Sequence, residues 1–221
     1  IDIGYTNIKI LKNNKIIIEP VKKTISLIKK LKKQFYCYIA CNNLKYSKIL
    51  SKFKNIYLIS NSDFLNDIEI SNEFKLNDLG IDLISYCYWV KKQNMKDAII
   101  LSSGTCLTLL VFKNNCLESV EILSGFDMEI KSIKKILKDI KIYFSEKFNY
   151  FNTEKAINLG YQNKIKGLIE INKQTFNIDK NIYLTGNYFK NFVINKADNI
   201  FQDTQIVDNL CLEAIKIKFQ S

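Results

Sequence analysis

One local pattern, run twice, limits what this chain can fold into. Ile1–Gly4 and Ile8–Leu11 read as two short strands, with a third at Lys15–Ile18 beyond the Asn13-Asn14 pair. After Asp97 the same order restarts: Ala98–Ser102, a turn at Gly104-Thr105, Leu107–Phe112, an Asn114-Asn115 turn, and Cys116–Leu123. Short apolar runs bounded by Gly, Asn and Thr are strand signals, and asparagines between two such runs mark tight hairpins. Each triplet leads into helix and further strand. The expectation is an internally duplicated α/β architecture, with halves at residues 1–95 and 96–221. The halves share little sequence identity, so the duplication is read from element order. It would set the two glycine-bearing turns facing each other across an interdomain cleft, a usual home for a small ligand.

Between these triplets the pattern is coarser. A lysine-rich helix is expected over about 22–34, a strand over Phe35–Ala40, a helix over Tyr46–Lys52 and a strand over Ile56–Ile59. Asn61–Asn77 is polar and reads as irregular, and Leu83–Gln93, carrying Trp89, reads as an apolar helix. In the second half, helices are expected from Phe126 to about Lys147, over Thr153–Lys173 and over Val207–Phe219, with a strand at Asn181–Thr185.

Composition removes whole classes of chemistry. The 221 residues include no histidine and no arginine. A His-based triad, a histidine general base and a His-containing zinc site are therefore excluded. So is any bidentate guanidinium clamp on phosphate or carboxylate, which leaves lysine, backbone amides and metal for phosphate handling. A hydrophobic fraction of 47% can furnish a sizeable core, and a single proline argues against linkers. The net charge of +11 is spread along the chain. Its densest stretch, Lys22–Lys33, has Val21, Ile25, Ile28 and Leu31 at helical spacing, the signature of a solvated amphipathic face. A nucleic-acid binder is the minor alternative, since aromatics do not interleave with the lysines as in a stacking platform.

Cys37, Cys41, Cys87, Cys106, Cys116 and Cys211 form no C-x-x-C pair and read as reduced thiols in a cytoplasmic protein. The charge-free stretch Ala98–Phe112 is too short for a membrane span. The sequence opens at Ile1, so an initiator methionine and a residue or two are expected ahead of it.

The candidate chemistry lies in the turns. Asp2-x-Gly4 followed by Thr6, Asn7 and Lys9 has the form of a phosphate-handling hairpin, in which a carboxylate holds a metal-bound nucleotide. Ordinary hairpin chemistry gives the same letters. Gly104-Thr105 is the second such turn, and Asp82, after Gly80-Ile81, is either catalytic or a helix N-cap.

Seven segments in register resemble type III pantothenate kinase, of the acetate and sugar kinase, Hsc70 and actin superfamily. Asp2–Lys9 is similar to D-x-G-N-T-x-x-K, Leu79–Asp82 to L-G-x-D-R, and Gly104–Thr108 to D-x-G-T-A-x-T without its aspartate. Ile122–Gly125 resembles I-x-P-G, and Asn152–Ile157 with Gly160 resembles T-x-x-A-I-x-x-G. Tyr183–Gly186 resembles the late T-G-G strand end, and Val207–Leu210 with Glu213 the C-terminal segment. The resemblance implies duplicated ribonuclease H-like, actin-like ATPase domains with mixed sheets. It implies ATP-dependent phosphorylation of pantothenate to 4'-phosphopantothenate, opening coenzyme A synthesis, with Mg2+, a monovalent cation (K+ or NH4+) and a homodimer. Carried over by position, Asp82 is the general base and Asp2 the carboxylate near magnesium. Gly4, Tyr5, Thr6, Asn7, Lys9, Gly104 and Thr105 line the phosphates, and Gly80, Ile81 and Thr153 the pantothenate. Thr153 also reads as the start of its own helix.

Several positions depart from that pattern. Tyr5 stands for asparagine, Leu83 for the arginine that holds the substrate carboxylate, and Ser102 for the aspartate of the monovalent-cation site. Leu110 replaces an acidic residue, and Ser119, Val120 and Ser124 replace two glycines and a proline. These losses keep a second reading open, a non-catalytic nucleotide- or pantothenate-binding relative.

Overall fold

The computed structural model describes residues 1–31, 33, 35–75, 78–137, 153–189 and 204–220. The chain forms two compact units, Ile1–Asn94 with Asn209–Ser221, and Met95–Asp208. Both are mixed α/β. The C-terminal segment thus returns to the first unit, whereas element order alone grouped it with the second.

In the first unit, β1 (Asp2–Ile3), β2 (Asn7–Lys12), β3 (Lys15–Pro20), β4 (Cys37–Cys41) and β5 (Ile56–Ile59) lie in the order β3-β2-β1-β4-β5. β1 to β3 are antiparallel, and β4 and β5 run parallel to β1. Asn13 and Asn14 carry φ of 50° and 58°, the paired left-handed conformation of a type I′ hairpin turn. Ile3, Ile8, Ile10 and Ile39 build one face of the core, on which Ile28 of helix α1 (Thr24–Leu31) and Leu50 of α2 (Leu44–Leu50) pack. The lysine-rich helix is shorter than its charge pattern implied, since Val21–Lys23 is a separate 3₁₀ turn. Within the polar stretch lie a short helix α3 (Ser62–Leu65) and a two-residue strand β6 (Glu69–Ile70), both too brief to register as periodicity.

Helix α4 (Ile81–Lys92) is buried on nearly every side, from Ile81 and Leu83 through Val90. An apolar helix of that kind belongs inside the fold. The C-terminal helix, numbered α7 (Leu210–Gln220), packs against α4 and buries Leu210, Cys211, Leu212, Ala214 and Ile215. Asn209 starts it by accepting the Leu212 amide at 2.9 Å. That start is three residues later than the sequence reading had it, because Thr204–Val207 is a strand.

In the second unit the strands are β7 (Ala98–Ser103), β8 (Cys106–Lys113), β9 (Cys116–Ser124), β10 (Ile182–Thr185) and β11 (Thr204–Val207). β7, β8 and β9 form an antiparallel meander, and β10 and β11 run parallel to β7. The order β9-β8-β7-β10-β11 has the same pattern of neighbours and directions as the first sheet. Asn114 and Asn115 again both have positive φ, at 52° and 66°. Helix α5 (Phe126–Ile136) follows, and α6 (Thr153–Phe176) lays Tyr161, Ile165 and Ile169 on Ile99, Leu107 and Leu109. Of the helix expected from Phe126 to about Lys147, α5 covers Phe126–Ile136, and positions 138–147 lie outside the described residues. Among the described residues, no helix is long and apolar enough to cross a membrane.

Candidate functional site

The register of the first sheet places Asp2 opposite Lys9, and the two side chains form an ion pair at 3.4 Å. Asp2 is buried, while Tyr5 (66% exposed) and Thr6 stand out in solvent at the tip of the hairpin. The tip is closed by the Gly4 amide donating to the Asn7 carbonyl at 3.0 Å. A Cβ on Gly4 would meet nothing nearer than that carbonyl, at 3.6 Å, and one on Gly104 nothing within 4 Å. Neither glycine is imposed by the protein's own packing.

Asp82 lies in the first turn of α4, whose N-cap position is Gly80. Asp82 is therefore not the cap. The Ile81 amide, which such a helix leaves open, instead donates to Asn42 Oδ1 at 2.9 Å. The same Asn42 side chain donates from Nδ2 to Asp82 Oδ1 at 2.8 Å. Asn42 follows the carboxyl end of β4, and its amide reaches the Ile3 carbonyl at 3.4 Å. Gly80 is required here: a Cβ would sit 2.6 Å from Asp82 Oδ1 and 3.2 Å from Asn42 Oδ1.

Burial pushes the Asp82 carboxyl above its ordinary value, and the negative charge of Asp2 adds to the shift; the Asn42 bond opposes both. The two carboxylates on which the sequence reading turned are thus electrostatic neighbours within one unit. Buried Cys211 of α7 feels both: burial first, then Asp2, hold its thiol well above the usual range, which leaves it an inert core group. Ser85 Oγ, one turn along α4, donates to the Asp82 carbonyl at 2.6 Å.

Two carboxylates of like charge, with amide oxygen nearby, form a hard-oxygen donor set of the type Mg2+ takes when phosphates and water complete its shell. Among the described residues no group of three or more His, Cys, Asp or Glu side chains could hold a metal unaided.

The second turn belongs to the other unit. Gly104 donates its amide to the Cys106 carbonyl at 2.9 Å, and Gly125 its amide to the Thr105 carbonyl at 3.1 Å. A Cβ at Gly125 would lie 2.5 Å from the Thr105 carbonyl oxygen, and one at Gly186 (φ +102°) would run into the Ser103 carbonyl. These two glycines knot the ends of β7, β9 and β10 together. Ser124, in the expected proline position, donates from Oγ to Glu129 at 2.7 Å, and Glu129 also pairs with Lys164. Phe126, Tyr161 and Tyr188 pack with ring centroids 5.0 to 5.1 Å apart. Burial pushes the Tyr161 hydroxyl up to about 12. Thr153 is the exposed first residue of α6.

Two of the substituted positions take apolar roles. Leu83 is 8% exposed and Leu110 fully buried, so both are core residues here. Ser102 sits near the end of β7, level with Thr185 and Thr108. A cavity of about 220 Å³ in the first unit, bounded by Ile10, Phe35, Leu212 and Phe219 and by Lys12 and Lys216, includes none of Asp2, Lys9 or Asp82 in its wall. Sequence reasoning missed Asn42. Its one signal was a polar residue directly after an apolar strand feeding the same layer as Asp2, the edge where α/β sheets tend to bind ligands.

No family model matches the chain. It is 29% identical over 119 residues to a type III pantothenate kinase from Fervidobacterium nodosum, a match spanning 52% of this chain and 46% of that protein. The match therefore covers less than half of its curated relative. Among solved structures, a conserved protein from Campylobacter jejuni assigned to the Baf family of transcriptional activators superposes with a TM-score of 0.68 at 18% identity. That superposition covers 99% of this chain and 96% of the other, and shows a shared fold. An Aquifex aeolicus PPX-GPPA enzyme aligns over 84% of this chain and 66% of its own at 11% identity, with a TM-score of 0.34, too distant to bear on the fold.

Proposed function

We propose that the chain is an ATP-dependent kinase acting on the hydroxyl of pantothenate, built on duplicated ribonuclease H-like halves. The observation that carries this reading is the placement of Asp82, an acid of raised pKa, beside Asp2 and the Lys9 hairpin. The partial identity to a type III pantothenate kinase supports the choice of substrate.

Phosphoryl transfer asks little covalent work of a protein; it asks for position and for charge placed where charge develops. Asp82 takes the proton of the attacking hydroxyl, and an acid titrating closer to neutrality accepts that proton more readily than an ordinary aspartate. Lys9, opposite Asp2, supplies fixed positive charge at the hairpin, as it must in a chain without arginine. Mg2+, when it arrives with the nucleotide, neutralises phosphate oxygens, and Asp2 is the residue that would meet it. Thr6, Asn7, Gly104 and Thr105 are the proposed phosphate neighbours; Gly80, Ile81 and Thr153 are the proposed pantothenate neighbours. With Leu83 in the core, the substrate carboxylate has to find a lysine or backbone amides.

The test is direct. Purified protein with MgATP, pantothenate and K+ or NH4+ should yield phosphopantothenate, and Asp82→Asn should cut kcat at least about 100-fold, the scale for loss of a proton-transfer group. Turnover by the wild type no faster than by that variant would overturn the reading. The burial of Leu83 and Leu110 favours one competitor, a relative that binds nucleotide or pantothenate without turnover. Calorimetric binding with no product would establish it.

A further inference from the structure

Asn42 makes more directed contacts around Asp82 than any helix cap needs. Its Oδ1 accepts from the Ile81 amide at 2.9 Å, its Nδ2 donates to Asp82 Oδ1 at 2.8 Å, and its amide reaches Ile3 at 3.4 Å. Ile3 adjoins Asp2 on β1, Ile81 adjoins Asp82 on α4, and Asn42 directly follows β4, the parallel neighbour of β1. Asn42 therefore links the backbone segments that bear on the two acids, its main chain to β1 and its side chain to the start of α4. Gly80 belongs to the same device, because a Cβ there would strike both the Asn42 and the Asp82 oxygens. A second strap holds the approach to α4, Asn61 Nδ2 donating to the Leu79 carbonyl at 3.1 Å.

We propose that Asn42 is a positioning residue for Asp82, fixing the carboxylate in one rotamer through Nδ2 while Oδ1 anchors the start of α4. The inference rests on the kinase reading for its kinetic consequence, but the contact itself does not depend on it. An asparagine suits both tasks because its amide offers an acceptor and a donor at once. Aspartate has the same shape and keeps the acceptor, but it sets a second carboxyl against Asp82, so the pair shares a proton and Asp82 is a poorer base. The charged group facing Asp82 is Asp2 of β1, itself paired to Lys9 of β2, and the buried thiol of Cys211 on α7 is the other titratable neighbour. The backbone amides of Leu83 and of Asp82 itself also bear on the carboxylate, and Asn42 Nδ2 adds a side-chain donor from another element.

Two variants separate anchoring from positioning. Asn42→Asp, which keeps the Ile81 contact, should remain folded yet lose about 10- to 100-fold in kcat, with KM for ATP and pantothenate within about twofold, the scale for residues that orient a catalytic group. Asn42→Ser, which can still donate, should recover part of that loss. Independently of turnover, the Asn42 side-chain amide resonance in a 15N-labelled protein should shift in Asp82→Ala and stay in place in Tyr5→Ala. Full kcat in Asn42→Asp, or an amide resonance indifferent to Asp82, would overturn the inference and leave Asn42 as an anchor for α4 alone. Absence of turnover in the wild type would instead overturn the kinase reading, and the resonance would then decide the role of Asn42 by itself.

Discussion

At the scale of single residues, the fold carries Asp82 as a cost. Its folded pKa lies above the unfolded one, through burial and the Asp2 charge, so the native state binds the proton more tightly than the unfolded chain. Stability from this group is therefore lost as pH rises from the ordinary carboxylate range through the raised value, and the penalty is complete above it. Asp82→Asn removes the charge and leaves an oxygen for Asn42, so Tm at neutral pH should rise by a few degrees, on the scale of about 1 kcal/mol. The gap to wild type should close as the pH falls below the usual carboxylate range, which calorimetry across pH would read. A gap unchanged with pH would mean that the charge is not its source. Gly186 is the opposite case, a residue the backbone cannot do without. Alanine there combines a disfavoured left-handed φ with a collision at Ser103, a loss of about 3 kcal/mol in urea unfolding. Gly160, exposed in α6 with nothing within 4 Å, should behave oppositely, gaining about 0.5–1 kcal/mol on the same change.

At the scale of elements, the hairpins were legible because their turn chemistry is local. Asn13-Asn14 and Asn114-Asn115 sit between apolar runs, and both pairs adopt the left-handed conformation that asparagine tolerates. The second turn is also braced from outside. Asp97 accepts the Asn114 amide and the Lys113 ammonium, each at 3.0 Å, and these contacts hold its carboxyl below the usual range. Asn115→Ala should cost about 1 kcal/mol, the strain of a Cβ in that region, whereas Asn115→Gly should be tolerated; equilibrium denaturation of the two variants compares them. Elements fixed by distant partners were less legible. β11 carries only Thr204–Val207, with Gln205 and Ile206 exposed, and its alternation is too short to oppose the helical pattern that follows. Asp82 could be singled out from the letters around it. Asn42 could not, because its meaning comes from residues 39 and 40 positions away in sequence.

At the scale of the whole molecule, the two antiparallel triplets, β1–β3 and β7–β9, were visible in the sequence because each is contiguous in the chain. The return of the C-terminus was not visible, because no local pattern says which apolar face α7 will cover. It covers α4. Leu210, Leu212, Ala214 and Ile215 are withdrawn from water there, and Lys218 pairs with Asp67 at 2.6 Å on the rim. The helix that presents Asp82 is thus held by the last residues of the chain. Truncation after Asp208 would remove Leu210, Leu212 and Ile215 and bare the surface of α4 that they cover, a loss of several kcal/mol at roughly 1.5–3 kcal/mol for each large side chain. Hydrogen exchange should then deprotect α4 and the first sheet while leaving β7 and β8 protected, since the second core of Ile99, Leu107, Leu109 and Ile165 contains no residue of α7. Uniform loss of protection across both sheets would show instead that the two units unfold as one.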